Sequence, residues 1–425
     1  MKNAIIASLF FVSSTTFAQF TSSLQFAYTH DSNVFGSYAE VPDNYFVVNL
    51  NLDNYTGWDY SSLDLSYNGA LSNYSSYPEQ DNWAHNLNAI YKIQLSRVGD
   101  SMDNSNSSTQ TGNSPLVPAD SLETYLTLTG AFARTVPHSG DFSAYQNYIA
   151  SGLANLRYPF GQTVALRVAY GINYTGFDFI SSLSNLENVG SANLSFDPSE
   201  NVVFYLGGSY GNKKYYGVDT VSASVKNLIK MHSNGRYKGK GKGKSGTPPP
   251  SSSIKTYVLD SPSVTQATYG GGLILRFGQL KANGSLLFRR DPFGNARYIN
   301  AVAKFSSRVS TVYDDPYSYQ GDEFTLGVRK DSLVSGVNFS VGLDRANKDY
   351  NRPAFDYTQT TVIAKQRHDK YTDISVALSK EFSLTGIASG LTLGLNYDHI
   401  DNSSNDEYYK FTDDVITVSL AVNLF

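Results

Sequence analysis

Cysteine is missing from all 425 residues, which removes disulfides, thiolate metal sites and cysteine nucleophiles together and suits a polypeptide exported without disulfide chemistry. Charge is scarce as well. Asp, Glu, Lys and Arg make up 16% of the chain and sum to a net −4, so the global balance favours neither a nucleic acid nor another polyanion as partner. A water-soluble all-β domain would need more charge on its wet face. Long apolar runs are lacking too: past the first 18 residues nothing reaches the roughly 18 to 20 consecutive apolar residues of a spanning helix, and a mean hydropathy of −0.29 is low for a helical membrane protein. The six His are scattered without metal spacing, and Tyr313-Asp314-Asp315-Pro316 reads as a chain reversal, not a calcium loop. Neither cofactor nor metal is expected.

What the chain has in quantity is Tyr (32), Phe (24) and Gly (34). Tyr and Phe suit acyl chains and interfacial girdles, while Ser, Asn and Gly suit a wet lumen and tight turns. The order of these residues is decisive. Phe46, Val48, Leu50 and Leu52 alternate with Val47, Asn49, Asn51 and Asp53, and Val164, Leu166, Val168, Tyr170, Ile172 and Tyr174 alternate with small and polar residues. Similar runs recur around residues 63–67, 87–95, 122–132, 269–277, 280–288, 299–305, 324–328, 337–343, 374–378, 391–397 and 416–424, with weaker candidates at 24–32, 145–156, 188–196 and 201–210. One greasy face and one wet face on every extended segment, with no helical span, predicts an all-β fold: a transmembrane antiparallel β-barrel in an outer membrane. The runs number about 17, whereas single-chain barrels carry an even number, so 16 or 18 strands are expected. The doubtful stretch is 348–370, either a long outer loop or the host of a strand in Thr358 to Lys365.

Both ends of the sequence fit export. Met1-Lys2, an apolar stretch from Ala4 to Val12, and the small residues Thr16 and Ala18 predict a signal peptide over 1–18 with cleavage before Gln19, leaving 19–425 as a single barrel domain. The terminal Phe425 resembles the carboxyl-terminal signal read by the barrel insertion machinery, although Asn423 stands where that signal usually has an aromatic residue.

Connection lengths predict orientation. Tyr158-Pro159-Phe160-Gly161, Asp197-Pro198-Ser199-Glu200 and Phe277-Gly278-Gln279 read as periplasmic turns, and 32–43, 72–82, 175–185 and 401–412 as extracellular loops. Residues 96–120 break this rule, by being a long periplasmic loop or through a slip of register. Residues 212–264 hold the Lys238 to Lys244 Gly-Lys repeat and Pro248-Pro249-Pro250, a composition that builds no core. This stretch is a solvated loop, or its lysines with Arg236 grip lipopolysaccharide while Val218 to Met231 narrow the lumen.

Tyr28-Thr29-His30-Asp31-Ser32-Asn33-Val34-Phe35, followed by Asp43-Asn44-Tyr45 and a strand ending at Leu52, resembles the opening of porin-like outer-membrane barrel families. The resemblance implies location and architecture and names no substrate. Within it, His30-Asp31-Ser32-Asn33 is similar to the His-x-Ser-Asn motif of outer-membrane phospholipases and lipid A deacylases, where His and Ser share one strand face. A strand-end turn capped by Asp31, Ser32 and Asn33 explains the same residues with less.

The parity that turns apolar side chains outward also says what points in: Arg167, Arg276, Lys281, Arg289, Lys304 and Arg329, with Asp64, Glu123, Glu323, Asp344 and Asp373 as counter-charges. The basic members gather in the second half of the chain. They line an aqueous pore with a surplus that favours anions, or they brace a filled lumen in pairs. Three functional readings follow: a non-enzymatic channel for passive diffusion of small polar solutes; a non-conducting barrel that is a scaffold or export partner for surface polysaccharide; and a lipid acyl-ester hydrolase using His30 and Ser32. Outer-membrane lipids, lipopolysaccharide, the insertion machinery and small polar solutes are the expected partners.

Overall fold

A computed structural model describes residues 18–36, 38–97, 123–138, 146–178, 184–216, 263–293, 316–351, 353–356, 362–384, 386 and 388–424. The strands in chain order are β1 (Ala18–Asp31), β2 (Asp43–Trp58), β3 (Ser61–Tyr74), β4 (Asn82–Arg97), β5 (Glu123–Pro137), β6 (Asn147–Pro159), β7 (Val164–Phe177), β8 (Asn185–Ser199), β9 (Val202–Tyr215) and β10 (Ser263–Phe277). They continue with β11 (Leu280–Arg290), β12 (Tyr319–Lys330), β13 (Val337–Tyr350), the short β14 (Ala354–Phe355) and β15 (Val362–Ala364), then β16 (Arg367–Ser383), β17 (Gly390–Ser404) and β18 (Phe411–Asn423). Sixteen of these close a barrel in which each strand pairs antiparallel with its neighbours, and β1 seals the cylinder by pairing with both β2 and β18. Closure satisfies every strand edge, which a sheet surrounded by hydrocarbon requires.

The register shows why these residues choose this sheet. Leu24 lies between Leu50 and Val422, and Phe26 between Val48 and Leu420; Leu326 and Val328 face Leu343 and Val341. A slip of one residue would turn each of these sets into the lumen, so the apolar alternation fixes the pairing. Outward aromatic pairs, Phe26–Phe46, Phe196–Phe204 and Tyr269–Phe288, stack at centroid distances of 6.2, 6.4 and 5.3 Å. On the inner face the cross-strand pairs are hydroxyls instead, with Ser285–Thr325 at 2.6 Å, Ser209–Thr268 at 2.7 Å and Thr29–Thr417 at 2.9 Å.

One end of the barrel carries short connections. Gly278, at φ 59°, takes a backbone conformation that side chains rarely adopt and lets β10 reverse into β11 across two residues. The other end carries the long connections. β4 pairs directly with β5, with a register irregularity between Gln94 and Ser96, so the connection through 98–122 belongs to the short-turn end and its own residues lie outside the described ones.

One expectation is corrected, and one open alternative is decided for the long outer loop. β11 pairs with β12, so the barrel closes without the strand expected at Ile299–Phe305, which lies outside the described residues; this was the surplus that made the count odd. The 348–370 stretch supplies no sixteenth or eighteenth stave either: β14 and β15 form a separate two-stranded ribbon. Val362 to Ala364 does lie in the expected segment, but lacks the length to cross a bilayer, for which about 9 to 11 residues are needed.

The buried residues gather at the long-loop end, where Tyr317, in the turn Pro316–Ser318, packs on inward-facing Tyr215 and Val264. Gly211 makes this seat possible, since a Cβ there would come within 1.9 Å of the Tyr317 hydroxyl.

Candidate functional site: the lumen

Four strands supply a belt of side-chain amides. Asn51 donates to Ser23 at 3.1 Å, Asn68 to Asn51 at 2.5 Å and Asn86 to Asn68 at 3.4 Å, all Nδ2 donors pointing the same way round β1 to β4. Such head-to-tail amides polarise one another and present a neutral, strongly hydrogen-bonding surface. Asp53 and Asp64 face inward on the same arc.

Most of the cations stand elsewhere. Arg157 and Arg167 face each other across β6 and β7, Arg276 and Lys281 pair across β10 and β11, and Arg329 is opposite Lys281 on β12. All five lie on inward positions near the short-turn end. Their counter-charges are few. Asp197 lies within electrostatic reach of Arg276, Arg157 and Arg167; Asp331, in the β12–β13 turn, is held by Arg329 at 2.7 Å and Lys281 at 3.6 Å. Those two cations, the Arg329 hydrogen bond foremost, pull the Asp331 carboxyl below the usual range. Arg276 also donates to the Glu200 carbonyl at 3.3 Å and Arg157 to the Glu123 carbonyl at 3.0 Å, so Glu123 enters this end through its backbone.

Arg289 behaves differently from its expected company. Its guanidinium forms a bidentate pair with Glu323, donates to Gln266 at 3.2 Å and lies over the Tyr319 ring at 5.9 Å, while Tyr319 donates to the same carboxylate at 2.9 Å. That geometry braces the wall and cancels the charge. Asp344 and Asp373 are direct cross-strand partners facing inward. Lys304 lies outside the described residues, and the barrel closes without a stave through it.

Sequence reasoning passed over the wall at the long-loop end. Lys213 lies over Tyr215 and Tyr317, Lys348 over Tyr319 and Tyr371, and Arg367 over Tyr350 and Tyr409 at 4.1 and 3.4 Å. Arg367 is also bidentate on Asp369, whose carboxylate accepts from Asn402 at 3.3 Å and Ser404 at 2.6 Å. These stacks form an inner ledge from β9 to β17. Apart from Lys213 over Tyr215, both on β9, only register reveals them, because each ring and its cation come from different strands or loops.

Between ledge and cation end, a cavity of about 260 Å³ opens on the inner wall, lined by Gln25, Arg329, Ser340, Thr392, Asn396 and Ser419 among others. Inward-facing Asn86, Leu153, Asn193, Asn283, Asp344 and Asn396, spread round the circumference, are solvent-exposed. Among the described residues, the middle of the lumen is therefore unfilled.

His30 and Ser32 part company. His30 Nδ1 is 2.9 Å from Asn44 Oδ1, whereas Ser32, beyond the end of β1, donates to Asp413 at 3.1 Å and accepts from the Asp414 N–H at 2.7 Å. The hydroxyl that a hydrolase would activate is committed to a strand-end turn.

An apolar outward band, aromatic pairs on it and a polar inward face inside a closed sheet admit one environment. The chain is a Gram-negative outer-membrane β-barrel protein. Short turns and both strand termini face the periplasm, and the ledge faces the cell exterior. A family model described as surface lipoprotein assembly modifier matches residues 279–423, which span β11 to β18. No curated protein matches the chain. Among solved structures it is similar to OpdL of Pseudomonas aeruginosa, with 12% identity over 96% of this chain and 98% of that one at a TM-score of 0.44. It is also similar to OpdQ of the same organism, with 8% identity, 96% and 98% covered and a TM-score of 0.42. A third is OccK2 (OpdF) of that organism, solved in complex with glucuronate, with 10% identity, 96% and 99% covered and a TM-score of 0.39. The barrel described here rests on its own strand ladder.

Proposed function

We propose that this barrel is a non-enzymatic channel for passive diffusion of small polar solutes, with a preference for anions. The observation that carries this is that, among the described residues, nothing fills the mid-lumen, where Asn86, Leu153, Asn193, Asn283, Asp344 and Asn396 are exposed on inward positions all round the cylinder. A barrel of this strand number is wide enough for an aqueous path. The preference follows from one arc of the periplasmic end, β6 to β12, where Arg157, Arg167, Arg276, Lys281 and Arg329 outnumber Asp197 and Asp331 while Asp53 and Asp64 face them from β2 and β3, and such a positive arc favours anions. Arg289 contributes little to that field, because Glu323 neutralises it.

Planar-bilayer recording tests both parts. Discrete conductance steps are expected from folded protein, with a reversal potential in a salt gradient on the anion side. Replacing Arg276, Lys281 and Arg329 together by Ala moves that potential toward cations. Folded protein that inserts and never conducts overturns the channel.

A second reading is an export or assembly partner. The family match over β11 to β18 favours a surface lipoprotein as its cargo, alongside the surface polysaccharide that the sequence suggested. Protease accessibility of a lipoprotein reporter on intact cells, with and without the barrel, distinguishes it from the channel.

A further inference from the structure

We infer that the outer face of β13 and β16 carries a binding site for the phosphate groups of a phosphorylated glycolipid in the outer leaflet. On β13 the outward positions run Val337, Phe339, Val341, Leu343 and then change abruptly to Arg345; on β16 they run Leu378, Val376, Ile374 and then change to Thr372 and Lys370. From Val337 to Arg345 a strand tilted about 40° climbs about 20 Å, which sets Arg345 at the upper edge of an apolar band about 25 Å tall. Both cations are exposed and point away from the lumen. They therefore stand at headgroup level, where a long basic side chain lays its stem on acyl chains and its charge among phosphates.

Their surroundings leave that charge available. Arg345 has Phe324 and Thr372 as cross-strand neighbours, and Lys370 has Asn347 and Ser403, all uncharged. Of the acidic groups on the same face, Asp322 is paired with Arg290 at 2.8 Å, while Asp349, hydrogen-bonded to His368 at 2.5 Å, and Asp414, hydrogen-bonded to Tyr397 and His399 at 2.7 and 2.8 Å, keep their charge but are not the cross-strand partner of either cation. Asp401 is opposite Thr372 and Thr412 and offsets one charge at most. Two neighbouring cations with no carboxylate directly opposite either, and Phe324 beside Arg345 to meet an acyl chain, fit a phosphate on a lipid better than a soluble ion.

Native mass spectrometry of the full-length barrel in detergent tests this with bisphosphorylated lipid A, with lipid A stripped of both phosphates, and with inorganic phosphate as competitor. The expected result is retention of the bisphosphorylated form alone, unaffected by inorganic phosphate. In an Arg345→Ala, Lys370→Ala variant the bound fraction falls about tenfold or more, the scale of two cations at an anionic lipid surface, and the Arg345→Lys, Lys370→Arg swap restores it. Heat-modifiable gel mobility reports folding of each variant, and the dephosphorylated lipid asks the same question of the unaltered protein. Equal retention of the stripped lipid, displacement by inorganic phosphate, or undiminished binding by the folded double variant overturns the site.

Discussion

Arg367 is the side chain on which the extracellular ledge turns. It is buried with Asp369, at 5% and 2% side-chain exposure, between the rings of Tyr350 and Tyr409. Removing one partner of such a pair leaves a buried charge uncompensated, which typically costs about 3–5 kcal/mol. Arg367→Ala is therefore expected to lose most of that amount in urea unfolding from lipid vesicles, while Arg289→Ala, whose pair is less enclosed, loses less. Equal losses would mean that burial does not set the difference. The same scale explains Ser32: its hydrogen bonds to Asp413 and Asp414 tie the first extracellular loop to β18, a structural use of a motif that could also be read as chemistry.

At the level of elements, the β12–β13 turn links three strands through one carboxylate. Asp331 receives Arg329 from the end of β12 and Lys281 from the start of β11. Its lowered pKa means that this contribution is present above the ordinary carboxylate value near 3.9 and is lost as pH falls through the depressed folded value. Between pH 5 and 8 the group stays charged and its pairing constant. Both ions are well exposed, so the effect on stability is small and the effect on the local field is the readable one. Asp331→Asn at neutral pH frees Arg329 and Lys281, and the reversal potential is expected to move further toward anions. A shift toward cations would contradict the role given to this end of the lumen.

For the whole molecule, inside and outside are exchanged relative to a soluble protein, and adjacent residues report it. Leu326 faces lipid, and Thr325 faces the lumen, where it bonds to Ser285. Leu326→Arg places a charge near mid-bilayer, at a cost of about 2–4 kcal/mol; Thr325→Arg leaves the guanidinium in water and narrows the path. The first variant should unfold from vesicles at lower denaturant than the second, and the second should show the lower single-channel conductance. Similar unfolding of both would argue against a hydrated interior.

The sequence by itself determined the barrel, its outward face and nearly all its staves, because a period of two is a local property and lipid tolerates no unpaired edge. It also placed Arg167, Arg276, Lys281, Arg329, Asp64 and Asp344 on the inward parity, since parity needs no knowledge of neighbours. It added the run at Ile299–Phe305, as a short alternating stretch looks the same whether or not a partner strand lies beside it. Only the tertiary structure decided that β11 meets β12 and that Arg289 belongs to Glu323. It alone brought Arg367 between rings from β13 and the β17–β18 loop, and left Arg345 and Lys370 side by side on the lipid face. Those facts depend on the register between strands and on how loops fold back over the rim, and register is a relation between segments that no single segment contains.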